Sequence, residues 1–164
     1  VTQPDLILNT LREKITTTLS QTGKDGEARD GMDISVCVFI KNTHSLMFAG
    51  AYNPLYIVRK GELIEFKGNK MPVGIHPKDN EQFTLHHIIL ESGDNLYIFS
   101  DGYVSQFGGP DGRKFLAKPF KELLVSLYGK PMVEQQSILE DTMDKWQNAH
   151  DQVDDILVIG ISII

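Results

Sequence analysis

The opening stretch of the chain repeats apolar residues every three or four positions. Leu8, Leu11, Ile15 and Leu19 form a stripe that Ile7 widens, which is the period of a helix with one buried face. Pro4 lies near its start, a position helices tolerate. Residues 21–30, QTGKDGEARD, are polar, aperiodic and carry two glycines, so they predict a surface loop. Beyond Gly31 the texture becomes that of strands. Ile34–Ile40 (ISVCVFI) is apolar and rich in β-branched residues, 41–43 is polar, and 45–49 is apolar again, which predicts a hairpin. Pro54 opens a strand at Leu55–Arg59, and Lys60-Gly61 turns it into a partner at 63–66. Residues 67–80, with two prolines and two glycines, read as a loop. Strands follow at 83–90 and 96–99, separated by Glu91-Ser92-Gly93-Asp94.

The last third changes period. Residues 107–113 (FGGPDGR) form a glycine-rich loop. Pro119 opens a helix with Phe120, Leu123, Leu124 and Leu127 on one face, and Gly129-Lys130-Pro131 stops it. A second helix at 132–146 aligns Leu139, Met143 and Trp146. After polar residues 148–155, the chain ends in a nearly continuous apolar strand, 156–164. The order is helix, about seven strands, two helices, strand. Hairpin spacing implies mainly antiparallel pairing, and continuous apolar strands imply cover on both faces. The expected architecture is α+β, with sheets packed together and flanked by helices, in a single domain spanning 1–164.

Composition narrows the function. The chain has 164 residues, 41% hydrophobic and 23% charged, ordinary values for a globular domain. Its net charge of −6 argues against a nucleic-acid partner, which a basic patch would announce. One cysteine, Cys37, excludes a disulfide framework and a multi-thiolate zinc site. No apolar run approaches the ~20 residues of a membrane helix, so a soluble, cytoplasmic protein is expected.

Three acidic stretches could carry chemistry. Ser100-Asp101-Gly102 puts a carboxylate directly after a buried-type strand, beside a glycine that lets a ligand approach the backbone. Alone, it reads more readily as a polar turn closing the strand. Asp151, Asp154 and Asp155 precede the final strand. Adjacent like charges there need a reason, which a divalent cation or a solvated Asx turn would supply. Asp30-Gly31-Met32-Asp33 is a third, also legible as a glycine turn. His86 and His87, neighbours on a strand, point to opposite faces and cannot share a metal. His150, near the aspartates, is the histidine closest to the candidate chemistry. No P-loop, Gly-x-Ser-x-Gly elbow or His-Glu-x-x-His is present.

Taken in order, DGMDISVCV (30–38), AGAYNPLYIVR (49–59), KMPVGIH (70–76), SGDNLYIFSDGYVSQFGG (92–109) and QVDDILVIGISI (152–163) resemble the SpoIIE-type branch of the metal-dependent PPM serine/threonine phosphatases. The resemblance runs from about residue 6 to the end of the chain. It implies a phosphatase 2C-like αββα sandwich of two mainly antiparallel sheets flanked by helices. It also implies a site with two divalent cations, Mn2+ or Mg2+, whose activated water attacks phosphoserine or phosphothreonine. Asp101 and Asp154 match metal carboxylates, while Gly102, Asp155, Asp33 and Asn53 match supporting positions. The implied partners are a phosphoprotein substrate such as an anti-sigma-factor antagonist, and a sensor or receiver domain in the parent chain. The QFGG and Lys114-Phe115 elements are similar to versions at the ends of bacterial sensors and regulators.

One family element is missing. An Asp-x-x-Gly-His-Gly motif should precede the opening helix, where only Val1-Thr2-Gln3-Pro4 stands. The expectation is therefore the C-terminal portion of a catalytic domain, with incompletely liganded metals, little turnover of its own and sheet edges open to homo-oligomer formation. The alternative is a non-catalytic regulatory or protein-binding scaffold. An aspartyl-phosphate phosphotransferase fits poorly, because Tyr103 stands where that class needs its second acid.

Overall fold

The computed structural model describes residues 3–21, 30–77 and 81–164. The elements run α1 (Pro4–Thr18), β1 (Gly31–Met32), β2 (Ile34–Ile40), a single 3-10 turn (Lys41–Thr43), β3 (Ser45–Ala51), β4 (Leu55–Arg59) and β5 (Glu62–Phe66). They continue with β6 (Val73–Gly74), β7 (His86–Ile89), β8 (Asn95–Phe99), α2 (Gly102–Ser105), β9 (Phe107–Gly108) and β10 (Arg113–Lys114). The chain closes with α3 (Ala117–Ser126), α4 (Met132–Gln147) and β11 (Val158–Ser162). Antiparallel sheets and helices in this order give the α+β class the sequence predicts. The loop predicted at 21–30 lies mostly outside the described residues. The chain divides into two compact units, Val1–Leu55 with Glu65–Leu90, and Tyr56–Ile64 with Glu91–Ile164.

In the first unit, β2, β3 and β7 form an antiparallel sheet in that order. The predicted hairpin pairs Ile34 with Ala51 and Ile40 with Ser45. Helix α1 seats Leu8 against Ala49, Ala51, Met71, Val73 and Phe83, with Leu11 and Ile15 half-buried beside them. Its buried face is not purely apolar. Arg12 is buried, donates to the Glu81 carbonyl at 2.8 Å and lies over the Phe83 ring, while Asn9 Oδ1 accepts the Phe83 N–H at 3.2 Å. Burying a guanidinium is costly unless its donors are used, and here a remote carbonyl and a ring use them. The stretch 67–80, expected to be a loop, holds β6, which pairs with β1 through Gly31–Gly74 and Met32–Val73. His86 is half-buried with Ile88 buried two residues on, and His87 and Ile89 are exposed, so the two histidines do face apart. Burial pushes the Cys37 thiol up to about 11, which leaves it a protonated hydrophobe at neutral pH.

The second unit is built on a four-stranded sheet in the order β11-β8-β4-β5, with β8 antiparallel to both neighbours. Helices α3 and α4 contribute Phe120, Leu124, Leu139 and Met143 to its core. The aromatic rings there pack at angles rather than in parallel stacks. Tyr56–Phe99 and Phe99–Phe120 have centroids 4.9 Å apart, and Tyr103–Phe115 are edge to face at 5.3 Å, the geometry the ring quadrupole favours. Buried phenols find partners: Tyr97 donates to Gln135 Oε1 at 2.6 Å and Tyr103 to the Leu139 carbonyl at 2.9 Å. Burial pushes the Tyr97 hydroxyl up to about 12.

Two sequence expectations need correction here. The run 156–164 is not a fully covered strand. Only Val158–Ser162 is strand, it ends the sheet, and Leu157 and Ile159 are 55% and 41% exposed. An apolar run marks strand propensity but cannot say whether the strand is central or at an edge. The glycine-rich loop at 107–113 is in fact the small hairpin of β9 and β10.

Candidate metal centre

The turn after β8 and the stretch before β11 are held together by backbone contacts. Ser100 N–H donates to the Leu157 carbonyl at 3.0 Å, extending the β8–β11 ladder by one pair. The Ser100 hydroxyl then replaces a backbone rung: it donates to the Asp155 carbonyl at 2.6 Å and accepts the Leu157 N–H at 3.0 Å. Gly102 opens the single-turn α2 directly against the stretch before β11. A methyl group on Gly102 would lie 2.3 Å from the Asp155 carbonyl oxygen, so only glycine permits the approach. Two acidic motifs separated by more than fifty residues in sequence are thus neighbours within one compact unit.

Asp101 sits at the rigid end of β8, where its carbonyl accepts the Ser105 N–H at 2.9 Å and its side chain is exposed. Asp154 Oδ1 accepts the Asp155 N–H at 2.7 Å, and the Asp154 carbonyl accepts Gln152 Nε2 at 2.7 Å. Both acids of this pair are exposed. Among the described residues, no Lys, Arg or His forms an ion pair with Asp101, Asp154 or Asp155. Three carboxylates on adjoining segments without a cation repel one another, and a hard divalent ion is the natural counter-charge. Among the described residues, no group of three or more His, Cys, Asp or Glu is placed to hold an ion. By its chemistry, this donor set would suit an oxygen-liganded ion held by one or two carboxylates and completed by waters, as magnesium commonly is. It does not fit a closed cage.

The remaining expected residues lie on other segments of the chain. Asp33 is exposed between β1 and β2, and Asn53 lies in the turn between β3 and β4. Both belong to the first compact unit. Asn53 is used through its backbone: its carbonyl accepts the Ser35 hydroxyl at 3.2 Å. His150 is exposed, and its Nδ1 lies 3.1 Å from the Gln147 carbonyl. Two residues were named from the sequence without a role of their own: Ser100 only as part of the Ser100-Asp101-Gly102 turn, and Gln106 only as the first residue of QFGG.

Comparison with solved structures gives the class. The SiaA-PP2C domain of Pseudomonas aeruginosa superposes with a TM-score of 0.85 and 26% identity, over 99% of this chain and 61% of that one. The phosphatase domain of the cell fate determinant SpoIIE from Bacillus subtilis, presoaked in manganese, gives 0.62 and 18% over 96% and 70%. The PPM Ser-Thr phosphatase MsPP from Mycobacterium smegmatis, in complex with cacodylate, gives 0.59 and 15% over 98% and 74%. The fold is thus the phosphatase 2C-like one, and the chain spans about three fifths of the SiaA chain. Among curated proteins, none matches. The sequence profile of stage II sporulation protein E (SpoIIE) matches residues 2–163, and the chain belongs to that family, the SpoIIE-type PPM phosphatases.

Proposed function

We propose that this chain is part of the catalytic domain of a metal-dependent serine/threonine protein phosphatase, with Asp101 and Asp154 as carboxylate ligands to divalent cations, Mn2+ or Mg2+. The observation that carries the reading is the contact of the Ser100–Asp101–Gly102 turn with residues 155–157, which sets the two acidic motifs side by side. Membership of a phosphatase family and the manganese-presoaked relative support it. When bound, such ions lower the pKa of a coordinated water and neutralise charge on phosphoryl oxygens. This chain's own part is to hold the carboxylates. Asp101 is fixed by the strand that precedes it, Asp155 fixes the loop through its carbonyl, and Gly102 lets the two segments meet. Asp33 and Asn53 take supporting roles. The substrate is a phosphoprotein of bacterial signalling, such as an anti-sigma-factor antagonist, and a sensor or receiver domain in the same protein supplies the input in the cytoplasm.

The test is direct. In the protein that carries this chain, Asp101→Asn lowers Mn2+-dependent hydrolysis of p-nitrophenyl phosphate by at least about 100-fold, since even outer-shell partners of a metal carry 10–100-fold. Turnover unchanged by this substitution refutes the assignment. One observation favours a second reading, a protein-binding scaffold without chemistry: the absence, among the described residues, of a three-ligand cluster. Mn2+-independent behaviour of both proteins, with partner binding intact, would establish it.

We further propose that β11 supports self-association. Among the described residues it ends its sheet, and an edge strand with exposed apolar neighbours favours strand pairing. Sedimentation is expected to show concentration-dependent dimers, and a clean monomer at high concentration contradicts this.

A further inference from the structure

The motif Gln106-Phe107-Gly108-Gly109 has no part in the chemistry proposed above, yet its first residue is buried to 0% exposure. A buried carboxamide is costly unless its hydrogen bonds are made. Gln106 makes them at both ends. Its Nε2 donates to the Asp151 carbonyl at 2.9 Å and to the Phe107 carbonyl at 3.0 Å. Its Oε1 accepts the Val153 N–H at 3.3 Å. The carboxamide therefore meets the carbonyl of one residue and the N–H of the residue two further on. That is what a neighbouring strand offers in a β-ladder.

The backbone of Gln106 is equally committed. Its N–H donates to the Gly102 carbonyl at 3.0 Å, and its carbonyl accepts both the Phe115 N–H at 3.0 Å and the Trp146 indole N–H at 3.1 Å. The glycines complete the clamp. A methyl group on Gly108 would fall 2.0 Å from the Trp146 carbonyl oxygen, and Gly109 N–H donates to that same oxygen at 2.8 Å. The end of α4, from which the aspartate stretch departs, is thus pinned to the hairpin of β9 and β10.

We infer that Gln106 is a positioning residue for Asp154. Residues 151–155 have no helix or strand of their own. They are anchored on one side by Gln106, at Asp151 and Val153, and on the other by Ser100, at Asp155 and Leu157. Asp154 lies between the two anchors. Both anchors follow β8, on either side of Asp101 and α2, so the element that carries one proposed ligand also sets the backbone of the other. Glutamate cannot serve, because it has no donor for Asp151, and methionine fills the space with neither bond. The inference deepens the reading of Asp154 as a metal ligand and rests on it.

The test uses Gln106→Met, with Gln135→Met as control. Gln135 is the other glutamine of this unit with almost no exposure, and it bonds Tyr97 and Lys130 away from the aspartates. Backbone hydrogen exchange at residues 151–155 is expected to rise on the order of tenfold or more in Gln106→Met and to stay unchanged in Gln135→Met. Mn2+ affinity, read by electron paramagnetic resonance of the free ion, is expected to fall about 10-fold or more in the first and to hold within about twofold in the second. Unchanged exchange and affinity in Gln106→Met overturn the inference. So does an equal loss of affinity in both variants, which would mark general destabilisation. Should Gln106→Met not fold, the wild-type protein decides. On Mg2+ titration the Gln106 side-chain amide resonances are expected to shift with the same midpoint as the Asp154 amide, and a silent Gln106 beside a shifting Asp154 overturns the inference. If wild-type protein binds neither ion while exchange rises as expected, the ligand reading of Asp154 falls and takes this inference's functional half with it. The restraint of the loop by Gln106 would stand.

Discussion

Replacing Gly102 with alanine is expected to cost about 3 kcal/mol of stability, the upper part of the range for inserting a group into close-packed structure. The added carbon would sit 2.3 Å from the Asp155 carbonyl oxygen and 2.8 Å from its carbon. Both are backbone atoms, and the Ser100 hydroxyl already fixes that carbonyl at 2.6 Å. Neither side can yield by a rotamer change, so α2 and the aspartate stretch must separate. For a chain of this size that corresponds to a fall of roughly 6–12 °C in unfolding midpoint. Gly160 provides the contrast. There the new carbon would meet the Met132 Sδ at 3.2 Å, and a flexible thioether can move aside. Gly160→Ala is expected to unfold within about 2 °C of the parent. Thermal unfolding of the two variants side by side makes the check. Equal midpoints would show that the Gly102 contact is not close-packed in solution.

The second large effect concerns Asp94. Its carboxylate is 1% exposed and takes Arg59 through two parallel bonds, Nε to Oδ1 at 2.8 Å and a terminal nitrogen to Oδ2 at 2.7 Å. It also accepts the Glu91 N–H at 2.9 Å, closing the turn into β8. Burial pushes this carboxyl upward, but the Arg59 bonds, with the Glu91 N–H, outweigh it and hold the group below the usual carboxylate range. Asp94→Asn keeps the shape and turns a donor towards the guanidinium. Breaking a fully buried pair costs about 3–5 kcal/mol. Because the Arg59 side chain is 23% exposed and recovers some hydration, about 2–4 kcal/mol is expected here. The pH dependence has a definite sign. A depressed folded-state value means the contribution is complete above the unfolded aspartate value near 3.9, and is lost as pH falls through the folded one. Urea denaturation should therefore separate the two proteins at pH 7 and bring them together in strong acid. A gap independent of pH would show that the charge is not what stabilises the turn.

Local signals made much of this molecule legible. The apolar runs Ile34–Ile40 and 45–49, broken by the polar triplet 41–43, mark two strands and the turn between them, so the hairpin could be read locally. The α4 stripe of Leu139 and Met143 and its start after Gly129-Lys130-Pro131 are equally local. The pairs β1–β6 and β9–β10 were not legible, since two-residue strands carry no period. Nor was the burial of Arg12 and Asn9, whose partners Glu81 and Phe83 lie about seventy residues away in the chain. The candidate site divides in the same way. Asp101 and Asp154 could be named from their motifs, whereas the contact between their two segments depends on the Ser100 hydroxyl and on space at Gly102. Gln106 showed its motif but not its burial, which only the packing of α4 against the β9–β10 hairpin creates.

The proposed function rests on Asp101 and Asp154 holding one metal centre. A crystal of this protein soaked in Mn2+ tests it most directly, through anomalous diffraction at the manganese edge. An anomalous peak is expected within coordinating distance of both the Asp101 and Asp154 carboxylates. Carboxylates pointing apart with no peak between them, at saturating manganese, would contradict it.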